Sequence, residues 1–247
     1  MDNMNDTSGS LGGCDWVRQS LPGADIDHPH YISLYLLDQW LSGTAIAAAQ
    51  GVMLDFGCGG QPYKSRFMPH IKQYIGADIA SANTIAPDIL IIPGKALPLP
   101  NASIDTLLST QTLEHVFDTH AYIGECARLV RPCGALILTA PMQWRQHEVP
   151  NDYFRFTKYG ISSLLHQHGF EVQSMTACGG AYAVLGQMFL SHLHERGIQR
   201  RGINKFINRL SLWLDRKYPD SEETLNWMCV ATRTPEIVEQ DCGVPHV

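Results

Sequence analysis

Residues 52–61 read VMLDFGCGGQ, and the architecture of the chain turns on them. Val52, Met53 and Leu54 lead into Asp55 and Phe56, after which Gly57, Gly59 and Gly60 crowd together. An apolar run that ends in glycines reads as a buried strand whose backbone turns sharply at its carboxyl end. The surrounding sequence repeats the pattern. GVMLDF (51–56), QYIGADI (73–79), DILII (88–92), IDTLLST (104–110) and ALILTAP (135–141), the last introduced by an RPCG turn, are strand candidates. EVQSMTA (171–177) and NWMCVATRT (226–234) follow as two β-rich segments. Between the fourth and fifth strands, Thr119 to Val130 places Tyr122, Ile123, Cys126, Leu129 and Val130 on one helical face. Thr157 to His168 is a second helix, with Thr157 as N-cap and Gly169 as stop. Continuous apolar strands joined by helices predict a parallel sheet covered on both faces, with ligands bound outside the carboxyl ends of its strands.

The bulk composition agrees with one such domain. With 247 residues, 45% hydrophobic and 17% charged, the chain can bury a full core. The expected organisation is a flexible arm over 1–27, a domain over 28–234 and a tail over 235–247. No apolar run reaches spanning length, and the acidic start MDNMNDTSGS lacks the features of a secretory leader. Seven scattered cysteines without a CxxC pair point to a reducing cytoplasm rather than a disulfide framework. A net charge of -6 argues against nucleic acid as a partner.

The loop after the first strand discriminates between ligands. A dinucleotide site would place a third glycine at position 62, which is Pro62 here. Asp55 would repel a pyrophosphate, whereas it suits a ligand that carries positive charge, such as the ammonium and sulfonium of S-adenosylmethionine. Asp78, 19 residues beyond Gly59, ends the second strand where an acid can accept hydrogen bonds from both ribose hydroxyls.

At this point the chain resembles the class I S-adenosylmethionine-dependent methyltransferases, specifically the type 11 group, over roughly residues 28–233. The resemblance rests on VMLDFGCGGQPY (52–63), YIGADI (74–79), ALPLPNASIDTLLSTQTLEHV (96–116), LVRPCGALILTAP (129–141) and HEVPNDYFRFTKYGISSLLHQHGFEV (147–172). The last block, with GGAYAVLGQ (179–187), is similar to a bacterial subgroup associated with cell-surface polysaccharide clusters. It implies a Rossmann-like, doubly wound α/β sheet of seven strands, the last antiparallel. It implies that Asp55, Gly57, Cys58 and Gly59 form the cofactor loop, that Asp78 holds the ribose and that Ile79 packs on the adenine. Thr110 and Gln111 would face the methionine part. Two departures stand out: Gln61 replaces the third loop glycine, and PGKALPLP (93–100) lacks the acid that usually receives the adenine amino group. Adenine recognition is then left to the backbone around Ala96 and Leu97.

Methyl transfer needs an acceptor atom held in line with the sulfur–methyl bond, and a hydroxyl acceptor needs a base as well. The loop MQWRQHEVPNDYFRFT (142–157) leaves a central strand and holds the richest set of groups. His147 is the expected base, with Asp152 as its orienter. Trp144, Arg145, Tyr153 and Arg155 are expected to line the acceptor, unless Asp152 and Arg155 simply pair and fix the loop. His115 is a further catalytic candidate or a pocket-shaping residue. His28, His30, Tyr31 and Tyr35 would form an N-terminal lid, joined by Tyr63. No metal is expected, because no HxxxH or two-His-carboxylate spacing occurs at a strand end.

The segment 181–218 reads as a helical insertion between the sixth and seventh strands. Ile203, Phe206, Ile207, Leu210, Trp213 and Leu214 recur at helical spacing, and residues 191–217 carry seven Arg or Lys against two acids. Two readings stand: a cap packed on the domain or on a second copy, or a basic amphipathic face that touches a membrane or an anionic acceptor. The expected function is transfer of a methyl group from S-adenosylmethionine to an oxygen, or less readily a nitrogen, of a small molecule or saccharide. The rivals are a non-catalytic cofactor-binding partner subunit and a nicotinamide-dependent oxidoreductase.

Overall fold

The computed structural model describes residues 24–79, 85–198 and 200–235. The expected tail and most of the expected arm lie outside these. The elements are α1 (Tyr31–Trp40), β1 (Val52–Phe56), α2 (Lys64–Phe67), β2 (Gln73–Asp78), β3 (Ile89–Leu90), β4 (Ile104–Thr110), α3 (Thr119–Leu129), β5 (Val130–Pro141), α4 (Lys158–Gln167), β6 (Phe170–Ala177), α5 (Ala181–Glu195), α6 (Arg201–Lys217) and β7 (Asn226–Arg233). Helix α1 runs on through a π turn, Leu41–Ala45, into a last helical turn, Ile46–Ala48.

The seven strands form one sheet in the order β3-β2-β1-β4-β5-β7-β6. β1 pairs parallel to β2 and to β4, and β4 parallel to β5. β7 inserts antiparallel between β5 and β6. The chain winds outward from β1 through β2 to β3, then returns to the other side of β1 at β4. The switch point therefore lies between the carboxyl ends of β1 and β4, where a crevice opens.

Alternation along the central strands sorts the core onto two faces. Leu54, Phe56, Leu107, Leu136 and Leu138 pack with Ile123, Cys126 and Leu129 of α3 and Ile161 and Leu165 of α4. Met53, Leu108 and Ile137 face the other way, onto Leu37, Trp40 and Leu41 of the α1 region and Phe67. Asp118 caps α3 by accepting from the Ala121 amide at 2.9 Å. Thr157 caps α4 through the Gly160 amide at 3.1 Å, and Gly169, at φ +73°, ends the segment as expected.

Three expectations change. The third strand shrinks to two residues. RPCG does not form a turn before the fifth strand: β5 begins at Val130 and absorbs it as an irregularity opposite Ile104 and Thr106, with Cys133 at φ +63°. The insertion is a pair of helices, α5 and α6, but its apolar stripe points outward. Asn204, Asn208 and Ser211 are the buried face of α6, whereas Phe206 is 64% and Trp213 50% exposed. The reason is a set of backbone acceptors. Asn204 donates to the Asp27 carbonyl, and Asn208 donates to the carbonyls of Ile26 and His28. Those carbonyls belong to irregular chain that has no ladder to satisfy it, so amide side chains outcompete apolar ones at that contact.

Candidate active site

The crevice is a cavity of about 790 Å³ that follows the carboxyl edge of the sheet. Its lining passes from Asp78 and Ile79 after β2, through Gly57, Cys58 and Gly59 after β1, to Thr110, Gln111 and His115 after β4, and to Trp144, His147 and Glu148 after β5. The strand order dictates this sequence of groups along the cavity.

Backbone conformation shapes the β1 end. Gly57 has φ +89°, and a Cβ there would lie 2.3 Å from Thr112 Oγ1. Gln61 takes φ +56°, the left-handed conformation that the missing glycine would have supplied. The glycine loop is thus kept despite the substitution. The Gly59 amide donates to Asp78 Oδ2 at 2.5 Å and the Ile79 amide to Oδ1 at 2.6 Å, which aims the carboxylate across the cavity mouth. Ile79, 47% exposed, offers a flat apolar surface beside it.

Asp55 departs from its expected role. It is fully buried and absent from the cavity lining; Tyr74 Oη donates to its Oδ2. Burial pushes its pKa up to about 7, against the lowering effect of the Tyr74 hydrogen bond. Asp55 therefore lies beneath the loop rather than facing a cationic ligand. Tyr63 is buried at the cavity wall and bonded to Thr110, not part of a mobile lid.

A carboxylate does reach the neighbourhood of the 93–100 segment, from a later helix. Glu125 of α3 lines the cavity, accepts from the Leu97 amide at 2.8 Å and pairs with Arg128 at 2.7 Å. Leu97 itself is buried, with its amide engaged, so Ala96 is the residue of that pair that lines the cavity. Glu125 is invisible to a search of the stretch after β3 because it arrives from a later helix.

At the β4 end, Gln111 has φ +50°, and its side chain donates to Thr139 Oγ1 at 3.0 Å. A 3-10 turn, Leu113–His115, follows. His115 Nδ1 lies 2.8 Å from the Asn151 carbonyl oxygen. The His115 and His147 rings meet edge to face at 4.7 Å between centroids. Burial, then the neighbouring His115, holds the His147 pKa below its usual value. Asp152 Oδ2 accepts from the His147 amide at 3.0 Å and lies 3.4 Å from Nδ1.

The remaining loop residues divide. Trp144 and Tyr153 line the cavity. Arg155 does not: it grips Asp152 through both oxygens and donates to the Trp144 and Arg145 carbonyls, which fixes the loop. These bonds, overcoming burial, keep Asp152 below the ordinary carboxylate range. Arg145 pairs with Glu195 of α5 at 2.9 Å, away from the cavity. Tyr31 stacks on Tyr35 and lines a separate recess with Ile26, Arg209 and Arg216. His30 is buried beside Trp144 and held neutral by burial, with a pKa of about 3.

Sequence reasoning missed Glu114. Its side chain is 0% exposed, and neither carboxylate oxygen has a hydrogen-bond partner. Burial pushes its pKa up to about 8. In LEHV it reads as an acid at a helix start, and no local signal reveals its burial.

Comparison with known proteins agrees with the architecture. Residues 54–138 match the methyltransferase-domain family model of the type 11 group. A Mycolicibacterium smegmatis protein, named as a probable S-adenosylmethionine-dependent methyltransferase, is 28% identical over 164 residues, 60% of this chain and 63% of that protein. A ubiquinone biosynthesis O-methyltransferase of Rhodopseudomonas palustris is 31% identical over 38% of this chain and 41% of its own length. The (4+2)-cyclase SpnF shares the fold, with a TM-score of 0.55, 17% identity and coverage of 81% of this chain and 80% of that one. Residues 54–138 are a methyltransferase domain, and that match together with the relatives' names supports a class I S-adenosylmethionine-dependent methyltransferase with S-adenosylmethionine as its cofactor. The chain spans less than two thirds of the length of these curated relatives, 63% of one and 41% of the other.

Proposed function

We propose that the protein transfers the methyl group of S-adenosylmethionine to an oxygen of a small-molecule or saccharide acceptor. One observation carries the reading: a single cavity of about 790 Å³ joins the Asp78 and glycine-loop end to the His115–His147 end. That volume suits a cofactor together with a small acceptor. Asp78 takes the ribose hydroxyls, Ile79 and Ala96 flank the adenine, and Thr110 and Gln111 lie along the methionine part. His115 and His147, steadied by Asp152, handle the acceptor oxygen and its proton, with Trp144 and Tyr153 as walls.

The R. palustris relative named for O-methylation supports oxygen as the attacked atom. The free thiols of Cys58, Cys126, Cys133, Cys178 and Cys229 support a reducing compartment. Among the described residues no helix is long and apolar enough to cross a membrane. The outward face of α6, with Phe206, Leu210 and Trp213 between Lys205, Arg209 and Arg216, supports contact with an anionic membrane surface or with a second copy.

The test is direct. The protein is incubated with S-adenosylmethionine and panels of saccharide and phenolic hydroxyl acceptors, and S-adenosylhomocysteine is followed by mass spectrometry. Acceptor-dependent product that disappears in both Asp78→Ala and His147→Ala supports the reading. Tight cofactor binding without turnover on any acceptor, restored by a second protein, would favour the partner-subunit alternative.

A further inference from the structure

Glu114 is a buried carboxyl group whose polar atoms are left without hydrogen bonds. A carboxyl group taken out of water without a partner is costly, and both of its oxygens are in that state. His115 Nε2 lies 3.8 Å from Glu114 Oε1 and 3.8 Å from Glu148 Oε2, too far for a hydrogen bond to either.

The tautomers follow from the other ring nitrogens. The Asn151 carbonyl can only accept, so the His115 nitrogen 2.8 Å from it, Nδ1, carries the proton. His147 Nδ1 faces the Arg145 carbonyl at 3.2 Å and Asp152 Oδ2 at 3.4 Å, again acceptors only. Each ring is left with its lone pair on Nε2. Imidazoles whose Nδ1–H is held by a carbonyl or carboxylate are arranged as metal ligands commonly are. One ligand atom from each of Glu114, His115 and His147 lies within 4.8 Å of the other two, a grouping found once among the described residues. A cation at about 2.0–2.2 Å from each would set them roughly 3.3 Å apart, a closure of about 1.5 Å or less.

We propose that Glu114, His115 and His147 bind one divalent transition-metal cation, of the Zn²⁺, Co²⁺ or Mn²⁺ class, at the acceptor end of the cavity. Two imidazoles and one carboxylate favour these ions over Ca²⁺ and Mg²⁺. The expectation of no metal rested on spacing along the chain; here the histidines come from loops after different strands. Three protein ligands leave positions open toward the cavity.

The chemistry of the bound cation rests on the methyl-transfer reading. An acceptor hydroxyl entering an open position becomes more acidic. Its O–H bond breaks and the proton passes to Glu148 or water. The oxygen lone pair then forms the bond to the methyl carbon as the carbon–sulfur bond breaks, and the sulfonium leaves as a neutral thioether. A saccharide with two neighbouring hydroxyls would fill two open positions, which defines the acceptor class. His147 thereby acts as a ligand to the cation rather than as the base itself.

The test uses the full chain, treated with chelator and dialysed, then titrated with Co²⁺ and back-titrated with Zn²⁺. One cobalt per chain is expected, with a visible absorption band that zinc abolishes. Glu114→Gln and His147→Ala should each weaken binding by about 100-fold or more, while His70→Ala, at an exposed histidine, changes it less than twofold. Should Glu114→Gln fail to fold, His147→Ala decides alone, with thermal unfolding as its control. Absence of a site tighter than millimolar, equal affinity for Mg²⁺, or unchanged binding in the foldable variants would overturn the proposal. S-adenosylhomocysteine titration of the same samples separates the two ideas. Metal binding without cofactor binding leaves the site standing and removes the methyl-transfer reading; the converse does the opposite.

Discussion

At the cofactor end of the cavity, backbone does most of the shaping. Gly57 and Gln61 hold left-handed conformations, and two amides aim the Asp78 carboxylate. At the acceptor end, side chains do it: His115 is held by a carbonyl of the loop after β5, and His147 by Asp152 and Arg145 of its own loop. The first end is set by one continuous stretch, VMLDFGCGGQ, and the strand beside it. The second exists only once two loops meet. The contrast implies that the cofactor end is robust in sequence and the acceptor end adjustable, as expected when one scaffold serves many acceptors.

His147→Ala should give the largest separation of the two ends. Methyl transfer is expected to fall by about 100-fold to 10,000-fold, as when a group that positions or activates the acceptor hydroxyl is lost, while S-adenosylhomocysteine affinity stays within about twofold. Equal losses in both measurements would mean that the ends are not separable. Gly57→Val should strike the other end. The added Cβ meets Thr112, and a branched residue at φ +89° is strained, so cofactor affinity should drop by about 100-fold in a calorimetric titration. Near-native affinity would show that the loop has a second conformation.

Asp55→Asn tests the layer beneath the loop. The folded pKa of about 7 exceeds the ordinary value of 3.8, so between these limits the native state keeps a proton that the unfolded chain has lost. Wild-type stability should therefore fall as pH rises through this window, and the variant should show a shallower fall in urea unfolding. Glu114, raised to about 8, contributes with the same sign, so the slope shrinks rather than vanishes. An unchanged slope would mean that Asp55 is ionised when folded. Phe206→Ser should have the smallest effect, within about 0.5 kcal/mol in thermal or urea unfolding, since the ring is 64% exposed. A loss above about 2 kcal/mol would place the stripe inside after all.

The legible parts of the molecule were those governed by neighbours in sequence. β4 spans Ile104–Thr110 as its pattern predicted, and Thr157 and Gly169 bracket α4. Gly57, Gly59 and Asp78 could be placed at the carboxyl edge of the sheet because a turn and a strand end are local events. The orientation of α6 was not legible: period 3.6 tells which residues share a face, not which face meets the Asp27 and His28 carbonyls. Asp55 could be named but not placed, since its partner Tyr74 stands on another strand. Glu125 was missed because it reaches the cavity from a later helix, and Glu114 because nothing in LEHV signals its burial.

The central claim, that this cavity holds S-adenosylmethionine with its ribose on Asp78, is tested most directly by isothermal titration with S-adenosylhomocysteine. Wild-type protein and the Asp78→Ala and His147→Ala variants are compared. The account predicts wild-type binding in about the micromolar range, since cofactor affinities of enzymes commonly begin there. Asp78→Ala should weaken it by roughly 10-fold to 100-fold, the worth of charge-assisted hydrogen bonds, and His147→Ala should leave it unchanged. No wild-type binding, or equal affinity in Asp78→Ala, would contradict it.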